Sequence, residues 1–439
     1  MPEPTRCLVT GATGYIGGRL VPRLLDQGFT VRALARNPDK LANVPWRARV
    51  EVARADLNDA DSLTEAFADV DVVYYLVHSM GKSKDFAAEE RRAAQNVVSA
   101  ARHAGVRRIV YLSGLHPEGV DLSVHLTSRT TVGEILIASG IETIVLQAGV
   151  VVGAGSASFE MIRHLTDRLP VMTTPKWVHN KIQPIAIRDV LHYLVAAATA
   201  EVPRSRTWDI GGPDVLEYGD MMQIYAQVAG LGRRHMLVLP VLTPQIAALW
   251  VGLVTPIPSG LARPLVESLH SDAVMANHDI DTIIAPPAAG LTPYRRSVSL
   301  ALARIARGEV ETTWDTGTAA QLPSDPDWAG EVVYTDTRSR RTTASPEQLW
   351  KAVDSSTPQH WRVEERESGC LLRLRAEKRA PGDRWLEMRI TPEPGGSRIE
   401  QRAIFYPRGL VGRLYWYAGS PVRAVMLDAR LRRIIAAAG

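Results

Sequence analysis

Short apolar runs and amphipathic stretches alternate along the first 150 residues of the chain. Each apolar run is bounded by Gly or Asp, which is typical of strands whose two faces are both covered by helices. The intervening stretches carry the apolar spacing of helices. This alternation predicts a doubly wound parallel sheet of α/β class. The predicted strands are 6–10, 30–36, 50–57, 70–80, 106–115 and 141–153, and the predicted helices are 19–28, 59–69, 85–105 and 126–140.

The pattern changes twice further along the chain. From about 151 to 310 it becomes irregular and richer in Pro and Trp, which indicates a smaller substrate lobe that completes a domain over 1–310. A polar stretch without period over 311–329 predicts a linker. Residues 330–439 then show a strand, a capped helix, four more strand-like runs and a long amphipathic helix over 409–438. This order predicts an α+β helix-grip domain, in which a curved sheet wraps a C-terminal helix.

Composition narrows the class of protein. The net charge of +4 over 439 residues comes without a long basic run, so nucleic-acid binding is not indicated. The two cysteines, Cys7 and Cys370, lie in different predicted domains, and with no N-terminal signal peptide this favours a cytoplasmic protein.

The uncharged segment 236–262 is broken by four prolines. Its longest predicted helix, of roughly a dozen residues, is too short to cross a bilayer. It indicates either peripheral contact with a membrane or a buried helix beside a substrate cleft.

The most informative motif follows the first strand. Gly11, Gly14 and Gly17 are spaced G-x-x-G-x-x-G between that strand and a helix, and the second strand follows about twenty residues on. A glycine-rich turn at a helix N-terminus lets backbone N–H groups approach a pyrophosphate. The motif predicts a dinucleotide site formed by residues 11–17, including Thr13, Tyr15 and Ile16.

The end of the second strand indicates which dinucleotide binds. NAD-selective sites usually place an Asp or Glu there, whereas this strand ends in Arg36 and has no carboxylate before Asp39. A guanidinium can form a bidentate pair with a 2′-phosphate, and Lys40 follows one turn later. The sequence therefore predicts NADP(H) as the cofactor.

Several motifs in order resemble the atypical short-chain dehydrogenase/reductases, of the NmrA-like branch that includes the NADPH-binding accessory subunit of respiratory complex I. They are "VTGATGYIGGRL", "VRALARNPDKL", "ADLND", "YYLVHSM", "RIVYLSGL" and "SRTTVGEIL". The resemblance implies that Asp56 and Leu57 lie at the adenine and that Val77 and His78 line the path of the ribose and pyrophosphate. Residues from about 330, including "LWKAV" and "FYPRGLVGRLYW", resemble START-like domains of the polyketide-cyclase type.

The catalytic positions depart from that family. The resemblance implies a serine at Ser113, but it places His125 where the tyrosine belongs and Arg129 where the lysine belongs. Arg129 can hold ribose hydroxyls, yet its charge is permanent and it cannot shuttle protons. His125 could act as acid or base near neutrality, or it could be a helix-entry residue in a site that no longer reduces carbonyls.

Two functions follow from these observations. The first is an NADP(H)-dependent oxidoreductase acting on an apolar carbonyl, enone or quinone-like compound, with a small apolar or lipid-like molecule as its substrate. The second is a non-catalytic NADP(H)-binding sensor or scaffold that contacts a partner or a membrane surface. The histidines show no metal-ligand spacing, so no metal is predicted.

Overall fold

The computed structural model describes residues 4–42, 44–78, 85–117, 119, 121–238, 266–267, 269, 271–306, 311–312, 334–356, 360–377, 380–407 and 409–438. The chain divides into two compact units, Met1–Gly330 and Glu331–Gly439. Of the segment 236–262, only residues 236–238 are among those described, and of the predicted linker over 311–329 only Glu311 and Thr312.

The first unit is built on a parallel sheet of seven strands in the order β11-β6-β5-β4-β1-β2-β3. This confirms the α/β class and the doubly wound sheet. Its strands are β1 (Arg6–Thr10), β2 (Thr30–Ala35), β3 (Glu51–Arg54), β4 (Val72–Tyr75), β5 (Arg108–Gly114), β6 (Glu142–Ala148) and β11 (Arg206–Ile210).

Helices cover both faces of this sheet. The helices in this part of the chain are α1 (Tyr15–Asp26), α2 (Ala60–Phe67), α3 (Phe86–His103), α4 (Val124–Ile137), α5 (Ala157–Arg168) and α6 (Ile187–Ala196). Apolar residues of α1 and α6 pack against one face, and those of α2, α3 and α4 pack against the other. Successive strand residues point to opposite faces, so in β1 Val9 packs toward α1 while Leu8 packs toward α2.

The rest of the first unit is assembled from short strand pairs. It contains β7 (Val151–Val152), β8 (Val171–Thr174), β9 (Lys181–Ile182), β10 (Ile185–Ala186), β12 (Leu216–Glu217), β13 (His235–Val238), α7 (Tyr218–Val228) and α8 (Tyr294–Ala306). The strands pair two by two, β7 with β10, β9 with β12 and β8 with β13. This is the irregular part that the sequence predicted after residue 150.

The second unit is a five-stranded antiparallel sheet with helices, in the order β14-β18-β17-β16-β15. The α+β architecture of this part is confirmed. Its elements are β14 (Tyr334–Thr342), α9 (Pro346–Ser355), β15 (Trp361–Glu367), β16 (Leu371–Ala376), β17 (Gly382–Glu393), β18 (Gly396–Pro407), α10 (Gly409–Ala418) and α11 (Ser420–Ala438). Leu427, Leu431 and Ile434 of α11 pack in one apolar cluster with residues of the sheet.

The single long helix predicted over 409–438 is wrong, because the structure has two helices separated at Gly419. Pro421 explains the break. It has no N–H to bond to the carbonyl of Tyr417, and its ring crowds that carbonyl. The chain continues into α11 with the Arg423 N–H donating to the Gly419 carbonyl at 2.9 Å.

Candidate functional site

The glycine-rich turn lies between β1 and α1, as the motif predicted. Gly11 has a φ of +69°, in the left-handed region that favours glycine. The hydroxyl of Thr10 fixes the start of the turn, since it donates to the Tyr74 carbonyl at 2.9 Å and accepts from the Leu76 N–H at 3.0 Å. The end of β1 is therefore fastened to β4 at the point where the turn begins.

Helix α1 begins directly on the turn. Gly14 is its N-cap residue and supplies no capping side chain, so the first N–H groups of the helix are left for another acceptor. A Cβ on Gly17 would lie 2.3 Å from the Gly11 carbonyl oxygen, so only glycine allows the helix to approach the turn this closely. Open N–H groups and the positive end of the helix dipole fit a pyrophosphate.

The carboxyl ends of β2 and β3 lie next to this turn in the sheet. Arg36 follows β2 directly, is exposed, and has no ion pair or hydrogen bond with the part of the chain that the structure describes. Asn37 accepts the Asp39 N–H at 3.0 Å and starts a short 3-10 helix that carries the exposed Lys40. Arg36 is thus available to an anionic ligand at the edge where the sequence placed it.

Asp56 and Leu57 follow β3 at the same edge. The Asp56 carboxylate accepts the Asn58 N–H at 3.0 Å, and its own N–H donates to Ser62 Oγ at 3.1 Å. Leu57 is buried, and its carbonyl accepts from the Asn96 amide at 2.9 Å. These bonds fix a compact loop beside the end of β2.

Val77 and His78 leave the end of β4. A Cβ on Gly11 would lie 3.3 Å from Val77 Cγ2, so Val77 packs against the glycine-rich turn. Burial together with the Arg129 charge lowers the pKa of His78 well below its usual value. His78 is therefore neutral near pH 7, and the structure brings it close to Arg129.

Ser113 and Arg129 lie at the end of β5. Ser113 is buried, and its Oγ makes no hydrogen bond of standard geometry among the described residues, although it lies near the Tyr111 hydroxyl. A Cβ on Gly114 would lie 3.2 Å from Arg129 Nη1, which places the guanidinium against the backbone after Ser113. The Tyr111 hydroxyl donates to the Arg129 carbonyl at 3.3 Å, and burial raises the pKa of Tyr111 to about 12.

His125 has a different neighbour. Ser123 caps α4 by accepting the Leu126 N–H at 3.3 Å, so His125 lies in the first turn of the helix. Its ring stacks on Phe86 of α3 with 4.4 Å between ring centroids and 16° between planes. Arg129 contacts the carboxyl end of β5, whereas His125 stacks on helix α3.

The structure adds a third histidine that spacing did not select. His116 Nε2 lies 3.1 Å from Gln147 Nε2 and 3.2 Å from Thr130 Oγ1, while Nδ1 lies 3.3 Å from the Pro117 carbonyl. A ring that donates from Nδ1 and accepts the Gln147 amide at Nε2 satisfies this network. Gln147 pairs with Ser113 across β5 and β6, so His116 is connected to the strand neighbour of Ser113.

A buried acid lies between α3 and α4. Glu90 is buried and accepts a short hydrogen bond from the Ser128 hydroxyl, the residue before Arg129. The Glu90 charge also reaches Tyr75 and Tyr111, whose pKa values burial raises. Sequence reasoning missed this pair because the two residues are 38 positions apart and belong to no known motif.

The described residues contain no group of three or more His, Cys, Asp or Glu side chains that could hold a metal ion. None of the described helices is both long and apolar enough to cross a bilayer. Cys7 is buried and Cys370 is exposed, and neither forms a disulfide.

Comparison with known families matches two parts of the chain. Residues 11–148 match a family described as NAD(P)H-binding, which covers the sheet and helices around the glycine-rich turn. Residues 355–429 match a family described as a protein of unknown function, DUF2867. This second match leaves the START-like prediction for the C-terminal unit as a prediction.

Among curated proteins, a stretch of 114 residues is 37% identical to cinnamoyl-CoA reductase 1 of Petunia hybrida, covering 24% of this chain and 34% of that protein. A longer stretch of 230 residues is 28% identical to the (4-alkanoyl-5-oxo-2,5-dihydrofuran-3-yl)methyl phosphate reductase of Streptomyces griseus, covering 51% of this chain and 73% of that protein. The chain spans about a third of the length of the first curated relatives that it matches.

Among solved structures, the triphenylmethane reductase of Citrobacter sp. in complex with NADP(H) superimposes with a TM-score of 0.53 at 22% identity. The match covers 67% of this chain and 99% of that one. At this identity the likeness concerns the fold alone, and it supports a Rossmann arrangement of the first unit.

Proposed function

We propose that the first unit is an NAD(P)H-binding Rossmann domain of the short-chain dehydrogenase/reductase-like family and that the chain is an NADP(H)-dependent oxidoreductase for an apolar carbonyl, enone or quinone-like compound. The observation that carries the proposal is the set of groups at the carboxyl ends of the parallel strands. It combines an open helix N-terminus at Gly14, an Arg36 that is unpaired among the described residues, and the end of β5, where Ser113 lies and the Arg129 guanidinium reaches the Gly114 backbone.

The choice of NADP(H) rests on Arg36. A 2′-phosphate placed at the end of β2 meets an exposed guanidinium that has no competing carboxylate partner among the described residues. Charge-assisted hydrogen bonds of this kind contribute about 1.5–3 kcal/mol, which corresponds to roughly 10- to 150-fold in affinity. NADH has no phosphate at this position and gains nothing from Arg36.

The reaction assigns a role to each group at the end of β5. Bound NADPH supplies the two electrons and one hydrogen that convert a carbonyl to an alcohol, and the second hydrogen arrives as a proton. The Ser113 hydroxyl donates a hydrogen bond to the substrate oxygen and orients it. Arg129 holds ribose hydroxyls and stabilises negative charge that develops on that oxygen. The proton comes from one of two histidines, His116 or His125.

A second function is favoured by one observation. Arg129 occupies the position where lysine belongs in the family that the sequence resembles, and a guanidinium cannot shuttle protons. A protein that binds NADP(H) as a sensor or scaffold needs the glycine-rich turn and Arg36 but does not need a proton relay. Measuring NADPH turnover distinguishes the two functions, because only the oxidoreductase consumes NADPH.

Calorimetry with NADPH and NADH tests the proposal first. We expect wild-type protein to prefer NADPH, and Arg36→Ala to lose roughly 10- to 150-fold of NADPH affinity with NADH affinity changed at most about twofold. Arg47→Ala, another exposed arginine, is the matched control and should bind both nucleotides as the wild type does. Equal binding of NADPH by Arg36→Ala and wild type would exclude the assignment of the 2′-phosphate site.

Turnover is then measured as NADPH oxidation with quinones, enones and aromatic aldehydes. The oxidoreductase predicts NADPH oxidation that depends on the added acceptor and falls at least tenfold in Ser113→Ala. The pH profiles of His116→Asn and His125→Asn identify the proton donor, since only its loss removes the basic limb of the profile. NADPH binding without turnover on any acceptor would favour the sensor or scaffold.

A further inference from the structure

The junction between α10 and α11 exposes the densest group of apolar side chains in the part of the chain that the structure describes. Six large apolar residues are between 43% and 68% exposed within thirteen positions. They are Leu414, Tyr415, Tyr417, Val422, Val425 and Met426. Monomeric soluble proteins rarely expose a contiguous apolar surface of this kind without using it to bind something.

The junction is held firmly by its inward-facing residues. Trp416 is buried and stacks on Phe405 of β18 at 5.5 Å between centroids, with planes 3° apart, and on Tyr334 of β14 at 5.9 Å. The Arg423 guanidinium also lies over the Trp416 ring, with Cζ 3.4 Å from the ring centroid. The exposed side chains are therefore carried by an anchored pair of helices.

Arg423 is the one charged residue between positions 414 and 426. Its guanidinium lies on the Trp416 ring and 3.6 Å from the Asp336 carboxylate, so its charge is compensated within the unit. The one charge within positions 414–426 is consequently compensated, and Arg384 lies at the border of this surface, where it donates to the Tyr415 hydroxyl at 3.3 Å.

The exposed face of α11 changes from apolar to positively charged along the helix. Val422, Val425 and Met426 occupy its first turns, and the same face continues to the exposed Arg432 and Arg433. Arg432 forms an ion pair with Asp428 at 3.0 Å, but this carboxylate also pairs with Arg340 at 2.7 Å, so the group keeps a net positive charge. At 1.5 Å per residue Arg432 and Arg433 lie about 9–11 Å along the helix from Met426. An apolar end followed by arginines one to two turns later matches a helix that enters acyl chains while its cations reach lipid phosphates.

The charge of the whole unit fits the same partner. Residues 331–439 contain 20 Lys and Arg against 13 Asp and Glu, a net charge of +7, whereas the preceding 330 residues have a net charge of −3. Such asymmetry attracts the unit to an anionic surface. A bare apolar contact between two copies of this chain would instead bring two strongly positive units together.

We propose that the α10–α11 junction is a docking surface for an anionic lipid membrane. Leu414, Tyr417, Val422, Val425 and Met426 enter the acyl boundary, and Arg432 and Arg433 contact phosphate groups. The residues of this surface are not those of segment 236–262, and the proposal stands whether or not the first unit turns over a substrate.

Co-sedimentation of the full chain with lipid vesicles tests the proposal. Vesicles of phosphatidylcholine alone are compared with vesicles containing roughly 30% phosphatidylglycerol at about 0.1 M salt. We expect binding that requires phosphatidylglycerol and weakens as salt rises. The double variant Val425→Glu/Met426→Glu should lose at least tenfold of the partition coefficient, because both side chains are among the most exposed in the unit.

Arg432→Gln/Arg433→Gln should lose about fivefold per arginine on anionic vesicles and nothing on neutral ones. Arg362→Gln/Val363→Glu changes an exposed arginine and an exposed valine on β15 and is the matched control, expected to bind as wild type. Circular dichroism and melting verify that each variant folds.

Three results would overturn the proposal: no binding of the wild type to either vesicle, binding by Val425→Glu/Met426→Glu equal to wild type, or equal losses in the β15 control. A wild-type dimer that Val425→Glu/Met426→Glu converts to monomer without any lipid binding would also overturn it and assign the surface to a second copy of the chain.

Discussion

Gly17→Ala is the sharpest test of the phosphate turn, because alanine normally stabilises a helix interior by about 0.5–1 kcal/mol relative to glycine. At this position its Cβ would lie 2.3 Å from the Gly11 carbonyl oxygen and 2.8 Å from the Gly11 carbonyl carbon. Both atoms are backbone and cannot rotate away. Reaching a tolerable carbon–oxygen contact requires α1 or the turn to move by about 0.7–0.9 Å, at a cost of about 1–3 kcal/mol.

The same movement affects nucleotide binding. A hydrogen bond of about 2.9 Å from a helix N–H to a phosphate oxygen would lengthen to about 3.6 Å, where it no longer counts as a bond. Losing one such charge-assisted bond costs about 1.5–3 kcal/mol, so NADPH affinity should fall by roughly 10- to 150-fold. We expect Gly17→Ala to melt earlier than wild type and to show this loss in calorimetry.

The matched control is Gly133→Ala in α4, whose Cβ would meet ordinary contacts at 3.7 Å. We expect it to melt at or above the wild-type temperature and to keep NADPH affinity. If Gly17→Ala also melts at or above the wild-type temperature and binds NADPH normally, the close approach of α1 to the turn is refuted.

Two further predictions concern the segment at Glu311 and Thr312, which packs on α1. A Cβ on Gly18 would lie 2.7 Å from Thr312 Cγ2, so Gly18→Ala should lose about 1 kcal/mol of unfolding free energy. In the double variant Gly18→Ala/Thr312→Ser that methyl group is absent, while the hydroxyl still donates to the Tyr15 carbonyl. Urea unfolding of the double variant should therefore show that most of the lost stability is recovered. If the losses of the two single variants add instead, the contact is contradicted. Although burial acts against it, hydrogen bonds from Arg23 and Arg304 lower the pKa of Glu311 from 4.5 to about 2, so its contribution is present above pH 4.5 and is lost as pH falls toward 2. The free energy of unfolding of Glu311→Gln should therefore be about 1–2 kcal/mol below that of wild type at pH 7, a value reduced by solvent screening because the carboxylate is 30% exposed. Near pH 2 the two proteins should be equally stable. A difference in stability that does not vary with pH would contradict the assignment.

The alternating pattern of the first 150 residues was sufficient to predict the parallel sheet and the position of the phosphate turn. Local signals were sufficient for both, since Gly11 and Gly14 lie between β1 and α1 and Gly17 lies in the first turn of α1. Arg36 could be placed for the same reason, because it follows β2 directly.

Contacts between distant residues could not be predicted. The Arg19 guanidinium is buried, donates to Thr312 Oγ1 at 2.8 Å and to the Ala154 carbonyl at 2.8 Å, and lies over the Tyr15 ring. Nothing local in the sequence indicates that a segment 293 residues later closes on this helix. The break at Gly419 was missed for another reason. The apolar period continues through it, and only Pro421, which lacks the N–H of a helix interior, indicates the interruption.

The hydrogen-bond network at His116 could be predicted only from the register of the sheet. Ser113 pairs with Gln147 because β5 and β6 are parallel neighbours, and Gln147 then reaches the His116 ring. The sequence alone favours His125 over His116 as the proton donor, because His125 occupies the tyrosine's place in the motif. Its stacking on Phe86 is a contact between α3 and α4 that no motif describes.

The electrostatics at the end of β5 bear on the proposed reduction, in which Arg129 stands in place of the family's lysine. Near pH 7 His78 is neutral, because burial and the Arg129 charge lower its pKa, and Tyr111 is neutral, because burial raises its pKa to about 12. Arg129 is then a permanent cation beside two neutral rings, with its Nη1 against the Gly114 backbone. In the proposed function, this fixed positive charge stabilises the oxyanion that develops on a substrate held by Ser113. In the proposed reduction, proton delivery then follows the build-up of charge, and His116 or His125 acts as the donor in place of the tyrosine–lysine pair.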